Sequence, residues 1–272
     1  IDAVLPIEIG GGNGLAPIMA AAKLGVPIVD CDGMGRAFPE SQMAIFNIRG
    51  LSACPSVLTA ACGSLSVIET ADNLIHERMA RALTVALGGI AHMVEYPLTG
   101  AQAKANAIGG SVTAAIAIGA AVRTGRAARR DPFEAMFAAL RETGLYPHAG
   151  ALFDGKIVDL ERQTKDGFSI GQVTLEGAAG QMQIQFQNEN LLAKQDGVVR
   201  AMAPDIITIM DRETADAITT ERLKYGQRVK VVGAAAPAML RDERALRLVG
   251  PSAFKLGTDF HPVETLNNWG AS

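Results

Sequence analysis

"AVLPIEIGGGNGLAPIMAAAKLGVPIVD", residues 3–30, decides how the first half of the chain is read. An apolar segment, AVLPIEI (3–9), runs into three consecutive glycines, an asparagine and a fourth glycine. A stretch at helical spacing, LAPIMAAAKLG (15–25), follows, and VPIVD (26–30) closes as a second buried strand. Strand, helix and strand with short connections predict a βαβ unit with parallel strands and a right-handed crossover. Each glycine costs conformational entropy, so the cluster implies more than a change of direction. A loop that leaves the C-terminal end of a parallel strand and opens a helix is where α/β sheets bind ligands, because the helix start offers free N–H groups and a partial positive charge.

Two nucleotide motifs fail at this loop. A P-loop ends in Gly-Lys-Ser/Thr, whereas Gly14 is followed by Leu15 and Ala16. The dinucleotide fingerprint is met in part, since Asp30 ends the second strand where a ribose-binding acid would sit. Its third glycine, however, falls at Leu15 counted from Gly10 and at Pro17 counted from Gly12. No nucleotide is expected, and a dinucleotide-dependent enzyme is kept only as an alternative. The next loop, DCDGMGRAFPE (30–40), gathers Asp30, Asp32, Arg36 and Glu40 among glycines at the end of the neighbouring strand. Two adjacent strand-end loops predict one crevice. Asp32, Asp30 and Glu40 are the candidate catalytic acids or bases. Gly11, Gly12, Asn13 and Arg36 are the candidate ligand-binding residues, with Arg36–Glu40 as a surface ion pair the competing reading.

Further along, SVLTA (56–60) and LSVIE (65–69) predict a hairpin around ACGS. Asp72 or Thr70 caps a helix through NLIHERMARALTVAL that ends at Gly88 and Gly89, and Asp131-Pro132 opens another helix. The nearly uncharged segment 105–122 is expected to be a buried helix, too weakly hydrophobic for a membrane span. Beyond His148, helical periodicity gives way to turns and alternation: two Asp-Gly pairs punctuate ALFDGKIVDLERQTKDGFSIGQVTLEG, and MQIQFQN alternates strictly. The expected fold is thus an α/β N-terminal domain (1–147) with βαβ units and a largely parallel or mixed sheet, followed by a β-rich C-terminal domain (148–272). Asn188 and Glu189, at the end of a predicted strand, are further candidates for substrate contact.

Composition narrows the partners. A net charge of -3 with dispersed lysines and arginines gives no basic stripe, so no nucleic acid is expected. The three cysteines, Cys31, Cys54 and Cys62, form no CxxC or disulfide framework, which points to a reducing cytoplasm. Cys31 lies beside the acidic loop with no histidine close in sequence to activate it, and reads as a small buried residue. HERMA (76–80) begins like a zinc-protease helix but has alanine where the second histidine belongs. The four histidines are scattered and leave a divalent metal open. The chain opens on an apolar strand without a methionine, which suggests that an N-terminal portion precedes it.

The two loops in succession, PIEIGGGNGLAPIMAAAKLGVPIVDCDGMGRAFPE, closely resemble the S-methyl thiohydantoin desulfurase family. The resemblance continues through ALGG (86–89), YPLTGAQ (96–102), FQNENL (186–191), PDII (204–207), YGQRVKVVG (225–233) and LVGPSAF (248–254), covering essentially the whole chain. It implies two domains, an upstream segment with its own glycine-rich stretch, and hydrolytic removal of methanethiol from an S-methyl thiohydantoin to give a hydantoin. It also implies a small hydantoin-like ring as the partner molecule, and either self-association or association with hydantoinase-type proteins. Such chemistry needs a base for water, donors for charge developing on the ring, and an acid for the leaving group. A non-catalytic accessory subunit is the alternative from another class.

Overall fold

The computed structural model describes residues 1–269, and the chain divides into two compact units, residues 1–34 with 38–109 and residues 35–37 with 110–272. The switch from helices to long strands comes at residue 149.

In the first unit, α1 (Gly11–Leu24) starts directly from the extended Gly10 and stops at Gly25, whose left-handed φ of 68° lets its N–H reach the Ala21 carbonyl. The chain segments flanking this helix do run parallel, but they meet at a single bridge, Val4 to Ile28. Among the described residues the largely parallel or mixed sheet expected from the sequence is not seen, and the strand ladders are antiparallel. Pro6 and Pro27 explain why: each removes a backbone donor from a ladder that needs one at every other residue. Instead β1 (Cys31–Asp32) pairs antiparallel with β5 (Ile108–Gly109). After α2 (Ile45–Ile48), β2 (Ser56–Ala60), β3 (Leu65–Ile68) and β4 (Ala91–Val94) form an antiparallel sheet in the order β3-β2-β4. The expected hairpin is the β2–β3 pair, with Gly63 (φ 84°) in its turn. Between β3 and β4 runs α3 (Asn73–Ala86), capped by the Asp72 carboxylate, which accepts from Leu74 and Ile75 N–H at 2.8 and 2.9 Å. A small core of Cys54, Leu58, Ile68 and Ala80 lies between sheet and helix. A Thr99/Gln102 capping box then starts α4 (Gly100–Asn106).

The second unit opens with α5 (Ser111–Ala127) and α6 (Pro132–Glu142), which pack at Gly125, where a Cβ would stand only 3.1 Å from that of Ala135. The segment expected as one buried helix over 105–122 is therefore split by β5. Its helix also buries one side only: Val112, Ala114 and Val122 face the core while Ile116 is 65% exposed. Seven strands follow: β6 (Ala149–Lys165), β7 (Phe168–Gly177), β8 (Gly180–Gln187), β9 (Glu189–Gln195), β10 (Val198–Met202), β11 (Ile206–Asp211) and β12 (Arg228–Ala234). Among the described residues they build one curled antiparallel sheet in the order β10-β9-β8-β7-β6-β12-β11. The alternation read in MQIQFQN is real, with Met182, Ile184 and Phe186 of β8 buried. Of the two Asp-Gly pairs only Asp166-Gly167 makes a turn, both residues having positive φ. Asp154-Gly155 lies inside β6, where a side chain at Gly155 would sit 2.4 Å from the Glu176 carbonyl oxygen, so this glycine serves a close backbone approach. The C-terminal α7 (Glu243–Val249) and α8 (Val263–Leu266) are tied in by the fully buried Asp205, which accepts from the N–H groups of Ala236 and Val263 and from Arg241. No helix among the described residues is long and apolar enough to cross a membrane.

Candidate functional site

Within the first unit the two motif loops are laced together by their own carboxylates. Glu8, buried at the end of the first apolar segment, accepts from the Asn13 amide (2.7 Å) with one oxygen and from the Phe38 N–H (3.2 Å) with the other. Asp32, fully buried, accepts from the N–H groups of Ile9 and Met34, each at 3.0 Å. Gly33 must be glycine, because a Cβ there would stand 2.7 Å from the Phe46 ring and 2.8 Å from the Ile7 carbonyl oxygen. Gly11 and Gly12 differ, since neither has anything within 4 Å of a built Cβ, and Gly11 alone needs the left-handed region (φ 48°). Asp30 is exposed, and Glu40 accepts the Gln42 side-chain amide. Cys31 is pushed up to about 11 by burial and by the carboxylates of Asp32 and Asp30, which keeps it a thiol.

Behind the second loop lies a buried polar cluster that no local motif announces. Ser56 starts β2, His76 projects from α3, and Glu95 follows β4. Ser56 Oγ is 2.7 Å from His76 Nε2, and His76 Nδ1 is 3.7 Å from Glu95 Oε2. Ser56 and His76 are fully buried and the Glu95 side chain is 6% exposed. Among the described residues neither His76 Nδ1 nor Glu95 Oε2 has a hydrogen-bond partner. Burial drives the Glu95 carboxyl up to about 8; the nearby carboxylates of Glu77 and Glu8 add to this and the Ser41 hydroxyl opposes it. Burial lowers His76 from its ordinary value, against the pull of Glu77. The pair is therefore a neutral imidazole beside a carboxylic acid at pH 7. Tyr96, next in the chain, holds the left-handed φ of 51° uncommon for a bulky residue, and its hydroxyl donates to the Ser41 carbonyl at 3.2 Å. Ser41 N–H donates to Glu77 (3.0 Å), and Arg81 joins Glu77 Oε1 (2.6 Å) to the Pro39 carbonyl (2.8 Å). Residues 39–42 (PESQ) thus form a strap fastened to this cluster. Among the described residues no group of three or more His, Cys, Asp or Glu side chains is placed to hold a metal ion.

The remaining sequence candidates belong to the second unit. Arg36 is buried and fully engaged with backbone carbonyls: Nε to Ala37 (3.0 Å), Nη1 to Pro204 (3.2 Å) and Asp205 (2.6 Å), and Nη2 to Asn190 (3.0 Å). Asn188 sits at φ 54°, accepts from Ser169 N–H (2.8 Å) through its side chain and from the Thr220 hydroxyl (2.7 Å) through its carbonyl, closing the corner between β8 and β9. Glu189 is raised by burial and by Glu221, with Arg36 pulling it back.

The family of this chain can now be read from its whole length. The model of the S-Me-THD-like N-terminal domain matches residues 1–70, and that of the S-Me-THD-like C-terminal domain matches residues 71–263. The chain belongs to the S-Me-THD-like family. No curated protein is a significant match to this S-Me-THD-like chain. Among solved structures it is similar to the crystal structure of a protein from Chromobacterium violaceum, with a TM-score of 0.80 and 22% identity over 96% of this chain and 73% of that chain. At that identity the likeness speaks for the fold.

Sequence reasoning passed over Glu8, Ser56, His76 and Glu95. One signal was present: Glu95 interrupts an apolar strand in HMVEYP, where a charge has no exposed reason to be. His76 was visible only as a failed zinc motif.

Proposed function

We propose that this S-Me-THD-like chain hydrolyses an S-methyl thiohydantoin-type ring, releasing methanethiol and leaving a carbonyl at the former thioether carbon. The observation that carries the reading is the buried pair of His76 Nδ1 and Glu95 Oε2, 3.7 Å apart and, among the described residues, without a hydrogen-bond partner. Unpartnered buried polar atoms call for an occupant, and a ring that carries N–H and C=O groups supplies complementary ones. Methanethiolate is expelled far more readily if it is protonated as it leaves, and a carboxyl held near 8 is a proton donor at neutral pH. Asn13, oriented by Glu8, and the N–H groups of Gly11 and Gly12 at the start of α1 are the proposed donors to the ring carbonyl. Asp32 holds the loop backbone in the geometry that places them.

The direct test is methanethiol release from S-methyl thiohydantoins by the full-length protein. Release with hydantoin as co-product supports the reading; absence of both release and binding overturns it and favours an accessory subunit. A second prediction isolates the glycine loop. Because a side chain at Gly12 meets open space, Gly12→Val is expected to leave the thermal midpoint within a few degrees of wild type, yet to weaken ring binding about tenfold or more by blocking approach to the N–H groups. Calorimetric titration with the hydantoin product reads the binding and circular dichroism the fold.

A further inference from the structure

Ser56, His76 and Glu95 come from three separate elements, yet they align as hydroxyl, imidazole and carboxyl, with Nε2 toward the hydroxyl and Nδ1 toward the carboxyl. That order of atoms, recognised by geometry and not by sequence position, is how hydrolases activate a serine. We propose that Ser56 is a covalent nucleophile and that the ring passes through an intermediate bonded to its Oγ. The inference rests on the hydrolase reading for its substrate, but the serine chemistry is testable without it.

The step balances on the groups in the cluster. As Ser56 Oγ bonds to the thioether carbon, its proton passes to His76 Nε2; the carbon–sulfur bond breaks and the sulfur takes the Glu95 proton, leaving as methanethiol. The first half-reaction therefore ends with an imidazolium and a carboxylate facing each other across 3.7 Å, a charge pair that a buried site stabilises. In the second half, water adds to the same carbon. One of its protons goes to Glu95 and the other ends on a ring nitrogen as the carbonyl forms, while His76 returns its proton to the departing Ser56 oxygen. Glu95 acts as acid and then as base, which is why a carboxyl poised near neutrality suits the position better than an ordinary one.

Ser56 and His76 are fully buried, and the strap of residues 39–42, tied to Glu77 and Tyr96 beside them, is the segment whose lifting would admit the ring. The hydrogen bonds that hold it include Arg81 to Pro39, Ser41 to Glu77, Tyr96 to Ser41 and Asn47 to the Gln42 carbonyl. Each joins groups that water can satisfy when the strap opens, so opening exchanges bonds without orphaning them.

The experiment has two arms. A small alkyl fluorophosphonate is incubated with the full-length protein and the labelled peptide is located by mass spectrometry; labelling at Ser56, abolished in His76→Gln, is expected. In parallel, Ser56→Ala is assayed for methanethiol release, with a loss of about 100-fold or more expected and acid-quenched wild type carrying a ring adduct at Ser56. Release from Ser56→Ala within about two-fold of wild type would overturn the nucleophile while leaving the hydrolase reading intact. No release from wild type, with His76-dependent labelling of Ser56, would overturn the substrate and keep the nucleophile. Should Ser56→Ala or His76→Gln fail to fold, the site of labelling in the wild type decides alone, and absence of label there counts against the proposal.

Discussion

Glu95→Gln is expected to reduce methanethiol release by about 10²–10⁴-fold, the usual value of a positioned general acid. Glutamine keeps the volume and removes the proton, so KM should change little while kcat collapses. In the wild type the rate should fall as pH rises through about 8, where Glu95 loses its proton, and this limb should vanish in the variant. Stability gives an independent reading of the same group. The carboxyl sits at about 8 in the folded protein against an ordinary 4.5, so the folded state binds this proton more tightly than the unfolded chain does. Its contribution is complete below 4.5 and declines at up to about 1.4 kcal/mol per pH unit, until it is lost above 8. His76 works in the other direction, since its lowered value removes stability as pH falls below its ordinary 6.5. Denaturant titrations at pH 6.5 and 9 should therefore show the wild type losing on the order of a few kcal/mol and Glu95→Gln losing much less. Equal losses in both proteins would mean that Glu95 ionises normally, and the acid role would go with it.

Arg36→Met is expected to destabilise the second unit by about 3 kcal/mol or more, because the carbonyls of Asn190, Pro204 and Asp205 lose a charged donor in a buried place and each such loss costs about 1 kcal/mol or more. For a unit of this size that lowers the thermal midpoint by about 10 °C. Glu189, whose ionised form Arg36 favours, should rise further. The folded fraction is expected to keep its KM, since every nitrogen of the guanidinium is committed to main chain. A variant that keeps its midpoint but loses ring binding would restore Arg36 to the ligand-contacting role that its place in DGMGRAFPE suggests. Arg36→Lys should recover little, because a point ammonium cannot span carbonyls that the planar fork reaches together.

Local chemistry was the legible part of the sequence. Asp72 and Asp131 cap the helices they precede, β2 and β3 form the hairpin, and β8 alternates as written. Each of these is decided within a few residues. What failed depended on partners far along the chain. The parallel sheet was inferred from strand-like composition, but prolines in both flanking segments deny the ladder its donors, and only the Val4–Ile28 bridge survives. Asp154-Gly155 looked like a turn because the need for glycine lay across the sheet at Glu176. The cluster was invisible for the same reason: Ser56, His76 and Glu95 lie on a strand, a helix and a strand end that only the packing of α3 on the β3-β2-β4 sheet brings together. In the loops themselves, Asp32 accepts from the N–H groups of Ile9 and Met34, and Glu8 accepts from the Asn13 side-chain amide and the Phe38 N–H.

The long strand β6 changes partners midway. Residues 149–156 pair with β12 and residues 156–165 with β7, so only the neighbourhood of Lys156 is laddered on both sides, and a register shift marks each stretch. In the language of hydrogen exchange, the curled sheet is then two blankets stitched along one seam. Amides in the block of β7, β8 and β9 should exchange as one cooperative group and those of β11 and β12 as another, with the amides around Ile157 slowest because either block must open before they are released. A bulged strand that bends the sheet thereby also sets where the second unit can come apart without unfolding as a whole.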